Sequence, residues 1–299
     1  MTQQTEPLVD FPPPLEEAGL DWEAAVEVYY MIRQKLRYSY PGPIGDLRHR
    51  LVIVPRARHG DQQRVAHSLA ISPSLPARVV RDRFGNSVVT VRAPHIVDAL
   101  TFELRSVVRR SARATAHRIG EGALRDPALL DPTLLTRPDE ALCALADSLR
   151  RQHPDPIDLA EAINLSVHAE MRYVAEATTV KTSAAQAFAS RSGVCQDFAH
   201  VALALARRCG IAARYVSGHL IGAGGTHAWI ELLVPENGTA RVLALDPTHG
   251  RRITMKYVVV AVGRDYGDVA PTSGVFSAPY AGELATQRLV AATAVRYAA

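Results

Sequence analysis

The sequence contains few cysteines, and their number argues against a disulfide-bonded scaffold. Three cysteines occur among 299 residues, at positions 143, 195 and 209. An odd and sparse set is not typical of small secreted domains, in which paired cysteines compensate for a small core. We therefore expect free thiols in a reducing compartment, and the cytoplasm is the simplest such location.

Long apolar runs are also missing. No stretch reaches the roughly 18 consecutive apolar residues that indicate a membrane-spanning helix. The opening residues, MTQQTEPLVDFPPPLEEAGLDW, are acidic and interrupted by prolines, without a basic start followed by an apolar segment. The sequence thus predicts neither a secretory signal nor a membrane association.

Lysine is scarce, so the positive charge of the chain rests on arginine. The formal net charge is +4, and Lys35, Lys181 and Lys256 are the three lysines. No dense basic run is interleaved with aromatic residues, which is the usual signature of a nucleic-acid-binding surface. We expect no nucleic-acid partner.

The remaining composition is that of an ordinary globular chain. Hydrophobic residues make up 47% and charged residues 21% of a length that favours two domains. Residues 26–40 alternate between apolar and polar side chains, which predicts a strand, and residues 51–57 suggest another. Similar patterns, with a turn at Asp82, Gly85 and Asn86, continue to about residue 110. This part of the chain is predicted to be an antiparallel β domain.

The pattern changes after Ser111. Segments with helical spacing precede four strand-like segments, at 213–220, 226–235, 241–246 and 256–263. Helices followed by strands, rather than strict alternation, predict an α+β domain. We therefore divide the chain into an N-terminal leader (1–24), a β domain (25–112), a linker and entry segment (113–139) and a second, α+β domain (140–299).

One cysteine stands where a thiol can become a nucleophile. The stretch SGVCQDFAHVALALARRCG places Cys195 after a small turn and on the first turn of a predicted helix. Free backbone N–H groups and the positive end of the helix dipole favour a thiolate at such a position. A nucleophilic thiol also needs a base and a group that orients it. His227, which opens a strand in GGTHAWIEL, and Asp246, which ends the next strand before a proline, are the predicted partners.

Each of these residues has a structural alternative. Cys195 could be a core thiol, which is our interpretation of Cys143 and Cys209 in their alanine- and leucine-rich helices. Asp246 could be a simple turn residue, because Asp-Pro favours turns. A metal site of Cys195, His227 and Asp246 is conceivable from the ligand types, but the spacing of known zinc motifs is missing. We predict no metal and no cofactor.

Three further polar residues near these motifs need a role. His219, near the end of a strand, competes with His227 as the base. His200 is predicted to be a hydrogen-bonded packing residue, and Asp197 to be a partner of the helix dipole in the first turn.

Four motifs, taken in order, resemble the bacterial transglutaminase-like superfamily of cysteine enzymes. They are GVCQDFAHVALALARRCGIAARYVSG (193–218), HAW (227–229), DPT (246–248) and GRDYGDVAPTSG (263–274). The segment before them, with LRYSYPGP and DRFGN, is similar to the N-terminal domain that accompanies this branch. The resemblance implies a papain-like, transglutaminase-like α+β domain in which the nucleophile helix packs on an antiparallel sheet, preceded by an antiparallel β domain.

The resemblance also implies roles for individual residues. Cys195 becomes the nucleophile, His227 the general base and later the acid, and Asp246 the orienting carboxylate. The chain departs from animal cross-linking enzymes at Gln196, where those enzymes carry tryptophan, and from many relatives at His249, where asparagine is frequent. The first departure argues against genuine protein cross-linking.

Five residues around this triad are predicted to contact the substrate. Their polar or aromatic character and their place beside the motifs suggest that they line the cleft, with the loop after the last core strand as one wall. They are Gln196, Trp229, Arg264, Asp265 and Tyr266.

The predicted reaction is cysteine-dependent acyl transfer through a thioester. Water as acceptor gives a peptidase, isopeptidase or amidase, and we favour this reaction on a peptide or protein amide substrate. An amine as acceptor gives a transglutaminase or peptide ligase, and a third reading is a catalytically inactive binding scaffold. A separate ATP-dependent amide-forming enzyme is a conceivable partner. The sequence does not predict the oligomeric state.

Overall fold

The alternating side chains of the N-terminal part produce antiparallel strands. In this computed structural model, which describes residues 11–112 and 117–298, a short 3-10 helix (Glu17–Gly19) precedes them. The strands of this part are β1 (Ala25–Ser39), β2 (Ile44–Leu51), β3 (Arg58–His59), β4 (Gln62–Ser72), β5 (Ala77–Arg81), β6 (Ser87–Ile96) and β7 (Ala99–Ser111). The prediction of an antiparallel β domain is confirmed.

The middle of the chain supplies the helices and a second set of strands. The helices are α1 (Pro127–Leu130), α2 (Glu140–Gln152), α3 (Pro156–Glu170), α4 (Ala184–Ser190), α5 (Cys195–Arg208) and α6 (Tyr266–Val269), with a 3-10 helix at Glu121–Arg125. The strands are β8 (Arg118–Gly120), β9 (Arg172–Tyr173), β10 (Ser192–Gly193), β11 (Ala212–Leu220), β12 (His227–Glu236), β13 (Thr239–Asp246), β14 (Arg251–Arg252) and β15 (Tyr257–Gly263).

The helices begin where polar side chains can cap them. Asp139 accepts a hydrogen bond from the Leu142 N–H at the start of α2, and Asp155 does the same for Ile157 and Asp158 at the start of α3. Ser183 forms a capping box with Gln186 at the start of α4. Such caps satisfy backbone donors that no helical carbonyl reaches.

Helix α5 is the centre of the α+β domain. It packs on β11 and β12 and is covered on other sides by α2, α3 and α4. Its side chains from Gln196 to Arg207 are all buried, which explains its alanine-rich sequence, because a helix that is enclosed all round has no polar face. The sheet beneath it has the order β14–β13–β12–β11–β15, with β8 beside β13. The predicted α+β fold, with the nucleophile helix on an antiparallel sheet, is confirmed.

The end of the chain returns to the β domain, which corrects one predicted boundary. Strand β16 (Thr272–Ser277) pairs with β2, and β17 (Glu283–Tyr297) pairs with β1 along its length. The resulting sheets have the orders β17–β1–β7–β4–β3 and β16–β2–β6–β5. The predicted second domain, 140–299, was therefore too long. Most of β17 is exposed at a sheet edge, so the strand lacks the apolar alternation that would have revealed it.

Two buried side-chain amides join the β domain to the sheet beneath α5. Gln62 of β4 donates to the Val259 carbonyl (2.7 Å) and accepts from the Val259 N–H (2.8 Å). Asn86, in the predicted turn, makes the same pair of bonds to Val262, at 2.7 and 3.0 Å. Both partners belong to β15, so side chains satisfy backbone groups at the edge of this sheet. Two side chains of the β domain therefore bond backbone groups of β15, at the edge of the sheet beneath α5.

Two large apolar clusters form the core. One lies between the helices and the sheet beneath α5, and the other lies between the two sheets of the β domain. Within the described ranges, no helix is both long and apolar enough to cross a membrane.

Candidate active site

Three side chains from three elements converge at the start of α5. Cys195 is the first residue of α5, His227 is the first residue of β12, and Asp246 is the last residue of β13. Because β12 and β13 are antiparallel neighbours, the start of one strand and the end of the other lie at the same edge of the sheet. His227 Nε2 lies 2.8 Å from Asp246 Oδ2, and the Cys195 thiol is close enough to the ring to raise its pKa. Since Asp246 takes Nε2, Nδ1 is the ring nitrogen left for the thiol.

The turn before Cys195 is shaped by a buried carboxylate. Asp197 is fully buried and its Oδ2 accepts the Val194 N–H (2.8 Å) and the Thr178 hydroxyl. A Cβ added to Gly193 would lie 2.6 Å from the Cβ of Asp197, so only glycine fits there. Asp197 thus lies in the first turn as predicted, and it fixes the direction in which Cys195 leaves the turn.

The position of Cys195 gives the site an oxyanion donor. The first N–H groups of a helix have no carbonyl partner within the helix, and the helix dipole adds positive potential there. The backbone N–H of Cys195 occupies this position. It can donate to negative charge that develops on a carbonyl oxygen attacked by the thiol.

Asp246 is held as a buried anion by several donors. Its Oδ2 accepts from His227, from His249 Nδ1 (2.7 Å) and from the Tyr257 hydroxyl (2.7 Å), while Oδ1 accepts the Thr248 N–H (2.9 Å). Burial alone raises the pKa of a carboxyl, but here the bonds from His227, Tyr257 and His249 outweigh it and hold the pKa of Asp246 well below its usual range. Asp246 therefore stabilises the turn after β13 through Oδ1 and orients the His227 ring through Oδ2.

The environment of His227 favours its protonated form. Burial alone lowers the pKa of a histidine, but the hydrogen bond to Asp246, the adjacent Cys195 thiol and the negative charge of both groups raise the pKa of His227 to about 9. The ring is therefore an imidazolium at neutral pH. An imidazolium beside a cysteine stabilises the thiolate, which is the nucleophilic form.

Trp229, predicted to contact the substrate, lies behind His227. Its side chain is fully buried, its ring stacks at 6.2 Å between centroids from that of His227, and it meets the Tyr257 ring edge-on at 5.4 Å. A Cβ at Gly218 would come within 2.4 Å of the indole, so the glycine makes room for it. Trp229 in this position supports the imidazole and has no exposed surface for a substrate.

The other four predicted contact residues are distributed around the start of α5 and around α6. Gln196 is buried beside Cys195, and Tyr266 is half-buried against the same core cluster as Cys195. Arg264 forms a two-pronged ion pair with Asp268, and Asp265 caps α6 by accepting the Gly267 N–H (2.7 Å).

Arg264 and Asp265 face a separate cavity of about 670 Å³. Their neighbours in its lining are Arg83, Gly267 and residues 127–128 and 131–135, and Cys195 is not among the described residues that line it. The structure thus packs Tyr266 against the helical core next to His200 and directs Arg264 and Asp265 into a separate cavity.

The competing residues take structural places. His200 is fully buried and accepts the Tyr266 N–H (3.2 Å), which confirms it as a packing residue. Burial and the nearby Arg288 lower the pKa of His219 to about 3, so that ring is neutral and lies away from the triad, against the β domain. All three cysteines are free, and burial raises the pKa of the Cys209 thiol to about 11.

Sequence reasoning missed three contributors to the site. His249 and Tyr257 both donate hydrogen bonds to Asp246. Tyr173 lies near enough to Cys195 for that group, after burial, to raise the pKa of the tyrosine. Tyr173 is 59% exposed on β9, opposite Gly193 of β10. The spacing Asp-Pro-Thr-His was the available signal for His249, whereas Tyr173 and Tyr257 depend on strand pairing that the sequence does not display.

Two groups of described side chains have ligand-type atoms close enough to hold a metal ion. Within each group these atoms lie within 4.8 Å of one another, and the groups are His59, His117 and Glu231, and His227, Asp246 and His249. In both, the atoms already bond one another, with His59 Nε2 2.6 Å from Glu231 Oε1 and His227 Nε2 2.8 Å from Asp246 Oδ2. An ion would fit these donors only by replacing those hydrogen bonds.

Comparison with known proteins identifies the family and the fold. The model of the transglutaminase-like superfamily matches residues 143–244, and that of the bacterial transglutaminase-like N-terminal region matches residues 30–109. An uncharacterized protein of Mycobacterium tuberculosis is 32% identical over 276 residues, covering 82% of this chain and 87% of the relative. One from Mycobacterium leprae is 34% identical over 222 residues, covering 67% and 77%.

A solved structure shares the whole fold. It is that of a "putative cysteine protease" from Cytophaga hutchinsonii, with a TM-score of 0.74, 20% identity and coverage of 91% of this chain and 93% of that one. At this identity the likeness concerns the fold. The fold and the residues at the start of α5 define a cysteine-dependent enzyme. The chain belongs to the transglutaminase-like superfamily, with the N-terminal region of the bacterial members.

Proposed function

We propose that the protein hydrolyses peptide, isopeptide or side-chain amide bonds through a thioester on Cys195. One observation carries the proposal: the Cys195 thiol, the His227 ring and the Asp246 carboxylate converge, with His227 bonded to Asp246 on one side and adjacent to the thiol on the other. This arrangement supplies a nucleophile, an acid and base, and an orienting anion in one place.

The first half of the reaction forms the acyl-enzyme. The Cys195 thiolate attacks the amide carbonyl carbon and forms the C–S bond, while the carbonyl oxygen becomes an oxyanion beside the Cys195 N–H. The tetrahedral intermediate collapses as the C–N bond breaks. His227 gives its proton to the departing nitrogen, so the amine leaves neutral and the thioester remains.

The second half releases the acid. The imidazole of His227, now neutral, takes a proton from water as the water oxygen attacks the thioester carbonyl. The C–S bond breaks, the carboxylic acid leaves, and the thiolate–imidazolium pair is restored. Asp246 stays hydrogen-bonded to Nε2 of His227 throughout. Nδ1 therefore faces the sulfur and is the nitrogen that gives up the proton in the first half and accepts one in the second.

Access to the nucleophile supports water as the acceptor. Cys195 is partly exposed, and Tyr173 beside it has more than half of its surface open to solvent. Water therefore reaches the place where the thioester forms. Amine transfer, as in a transglutaminase or peptide ligase, uses the same triad and is the alternative outcome of the experiment below.

The proposal also covers where the substrate binds and which molecules the protein meets. We place the acyl donor against Tyr266 and Gln196, with the loop after β15 as a wall of the cleft. An unchanged KM in Tyr266→Phe would contradict that wall. The substrate is a peptide or protein amide in the cytoplasm, and an ATP-dependent amide-forming enzyme is a conceivable partner.

The decisive experiment separates the acceptors. The protein is incubated with glutamine peptides, isopeptides and peptide amides in ¹⁸O-water, with and without a primary amine, and the products are weighed by mass spectrometry. We expect one ¹⁸O in the released acid and no such product from Cys195→Ala. An amide product formed with the amine would instead support acyl transfer, and no turnover of any substrate by the parent would favour a binding scaffold.

A further inference from the structure

The outer face of the four-stranded sheet carries a concentration of arginines. Arg48 and Arg50 of β2, Arg92 of β6 and Arg78 of β5 line a cavity of about 580 Å³, and we call these four residues the arginine face. The described residues that line the cavity include Val80, Val91 and Val275 and no carboxylate. The cavity is therefore strongly positive, with an apolar component.

Strand register places like charges side by side on this face. Arg48 is directly opposite Arg92 in the β2–β6 pair. In the next row, Arg50 is opposite Thr90, which is in turn opposite Arg78. Side chains that are directly opposite in antiparallel strands lie about 5 Å apart at Cβ, and like charges there are destabilising. Three of these arginines are exposed, so the sheet presents a concentrated positive charge to solvent.

The described part of the chain does not neutralise it. Elsewhere arginines find carboxylates, as Arg110 does with Asp61, and Arg208 with Asp147. The guanidinium groups of Arg48, Arg78 and Arg92 have no hydrogen bond or ion pair with any described residue. Arg50 donates to the Asp268 carbonyl (2.8 Å), which anchors one end of the face to α6.

We propose that the arginine face binds an acidic, extended segment of the protein substrate. Carboxylates on that segment would bridge Arg48 to Arg92 and reach Arg78, and its apolar side chains would lie on the valines. Guanidinium groups bind carboxylates through paired hydrogen bonds, which favours them over lysine for this recognition. The surface selects substrates by a sequence feature outside the bond that is cleaved.

The face is connected to the catalytic site. Val80, at one end of the cavity, packs against the same core cluster as Cys195 and Tyr266. Arg50 contacts α6, the helix that begins with Tyr266. We place a segment bound along the face on the same substrate molecule that offers its amide to Cys195, because Arg50 joins the face to the helix that carries Tyr266. This inference rests on the proposed hydrolysis of protein amides.

A peptide suits the cavity better than a nucleic acid. Its polar lining is of arginine, serine and threonine side chains, while Val80 and Val275 supply accessible apolar surface. The ring in the lining, His49, is 5% exposed, so it offers bases little to stack on. Branched apolar side chains instead complement the side chains of an extended peptide.

Binding is tested without catalysis, so that the result does not depend on the proposed reaction. Full-length Cys195→Ala is titrated into fluorescein-labelled hexaglutamate, and anisotropy is compared with that of hexaglutamine. We expect salt-sensitive binding of hexaglutamate, and a loss of at least about tenfold in affinity in the added Arg48→Glu or Arg92→Glu variant. Arg37→Glu, at an exposed position of β1, changes the net charge equally and should bind as the parent does.

The same variant separates binding from misfolding. Arg48→Glu converts a like-charged pair into an opposite-charged pair, so its melting temperature should equal or exceed that of the parent. Equal affinity in Arg48→Glu and Arg37→Glu would overturn the proposal, as would tighter binding of a thymidine oligonucleotide than of hexaglutamate. If hexaglutamate binds as expected but the active protein cleaves no amide, the proposed function fails while the binding surface stands.

Discussion

Strand β12 contributes to two histidine–carboxylate pairs that look alike and behave differently. At its first residue, His227 bonds Asp246, and four residues later Glu231 bonds His59 (2.6 Å). Both pairs are buried, and each has another histidine nearby. The first pair ends at the Cys195 thiol, whereas the second ends at Arg214, which bonds the other oxygen of Glu231.

The two pairs shift the pKa of their histidines in opposite directions. Hydrogen bonds and negative charge overcome burial and raise the pKa of His227 to about 9. Burial, aided by the positive charges of Arg214 and Arg56, outweighs Glu231 and lowers the pKa of His59. The same combination of a histidine and a carboxylate therefore contains a protonated ring at His227, beside a thiol, and a neutral ring at His59, beside an arginine. Burial together with the third neighbour therefore separates the pair beside a thiol from the pair beside an arginine.

Removal of the nucleophile should have the largest effect. In Cys195→Ala the first pair loses the group on which it acts, so we expect amide hydrolysis to fall by about 10³-fold or more. Turnover of the best substrate from the ¹⁸O experiment measures this. Cys143→Ala is the matched control and should retain the parent rate; an equal fall in both variants would contradict the role of Cys195.

Loss of the carboxylate charge should come next. In Asp246→Asn the support for the imidazolium is weakened, so we expect kcat to fall by about 10²-fold. His227 is protonated below its pKa of about 9 and loses its proton above it. The parent should therefore lose activity as pH rises through about 9, because the leaving amine needs that proton.

The pH profile distinguishes this effect from a folding defect. The alkaline fall should occur at lower pH in Asp246→Asn than in the parent, since the carboxylate raises the pKa of His227. A profile that keeps the same alkaline limb in both proteins would show that Asp246 does not act through His227.

The second pair should respond in stability rather than in rate. Glu231→Gln leaves the buried Arg214 without its anion, so we expect a loss of about 3 kcal/mol in the free energy of unfolding. kcat of the folded protein should change less than about threefold, because His227 keeps its own partners. Urea denaturation measures the loss, and Glu236→Gln, at a more exposed ion pair, should lose less.

The smallest expected effect is at Tyr257. Tyr257→Phe removes one of several donors to Asp246, so we expect kcat to fall by less than about tenfold. A loss as large as that of Asp246→Asn would mean that the hydroxyl, rather than the carboxylate, controls His227. Steady-state kinetics of both variants under one set of conditions makes the comparison.

Local signals predicted much of the fold. Asp139, Asp155 and Ser183 cap helices, and Gly85 has the positive φ of +78° that the predicted turn requires. The predicted strand at 51–57 was wrong after Leu51: residues 52–54 are deeply buried but lie outside any strand, ahead of Pro55. An apolar run reports burial, and only pairing makes it a strand.

Long-range pairing accounts for most of what was missed. Strand β17 lies beside β1, more than 240 residues away in sequence, and much of it faces solvent. The amide of Asn86 was predicted only as part of a turn, yet it bonds β15. Motif spacing indicated Cys195, His227 and Asp246, but not Tyr257, since its approach to Asp246 depends on the course of the chain after β14.

The central claim is that Cys195 and His227 form a reactive pair, and alkylation tests it directly. The rate of iodoacetamide modification at each of the three cysteines is measured by mass spectrometry against pH, in the parent and in His227→Ala. We predict that Cys195 reacts rapidly at about pH 6, where an ordinary thiol is slow, and that His227→Ala abolishes this advantage. Cys209, whose pKa is raised to about 11, should stay slow in both. If Cys195 follows the pH dependence of Cys143 and Cys209 in both proteins, the pair does not exist and the account of the site is wrong.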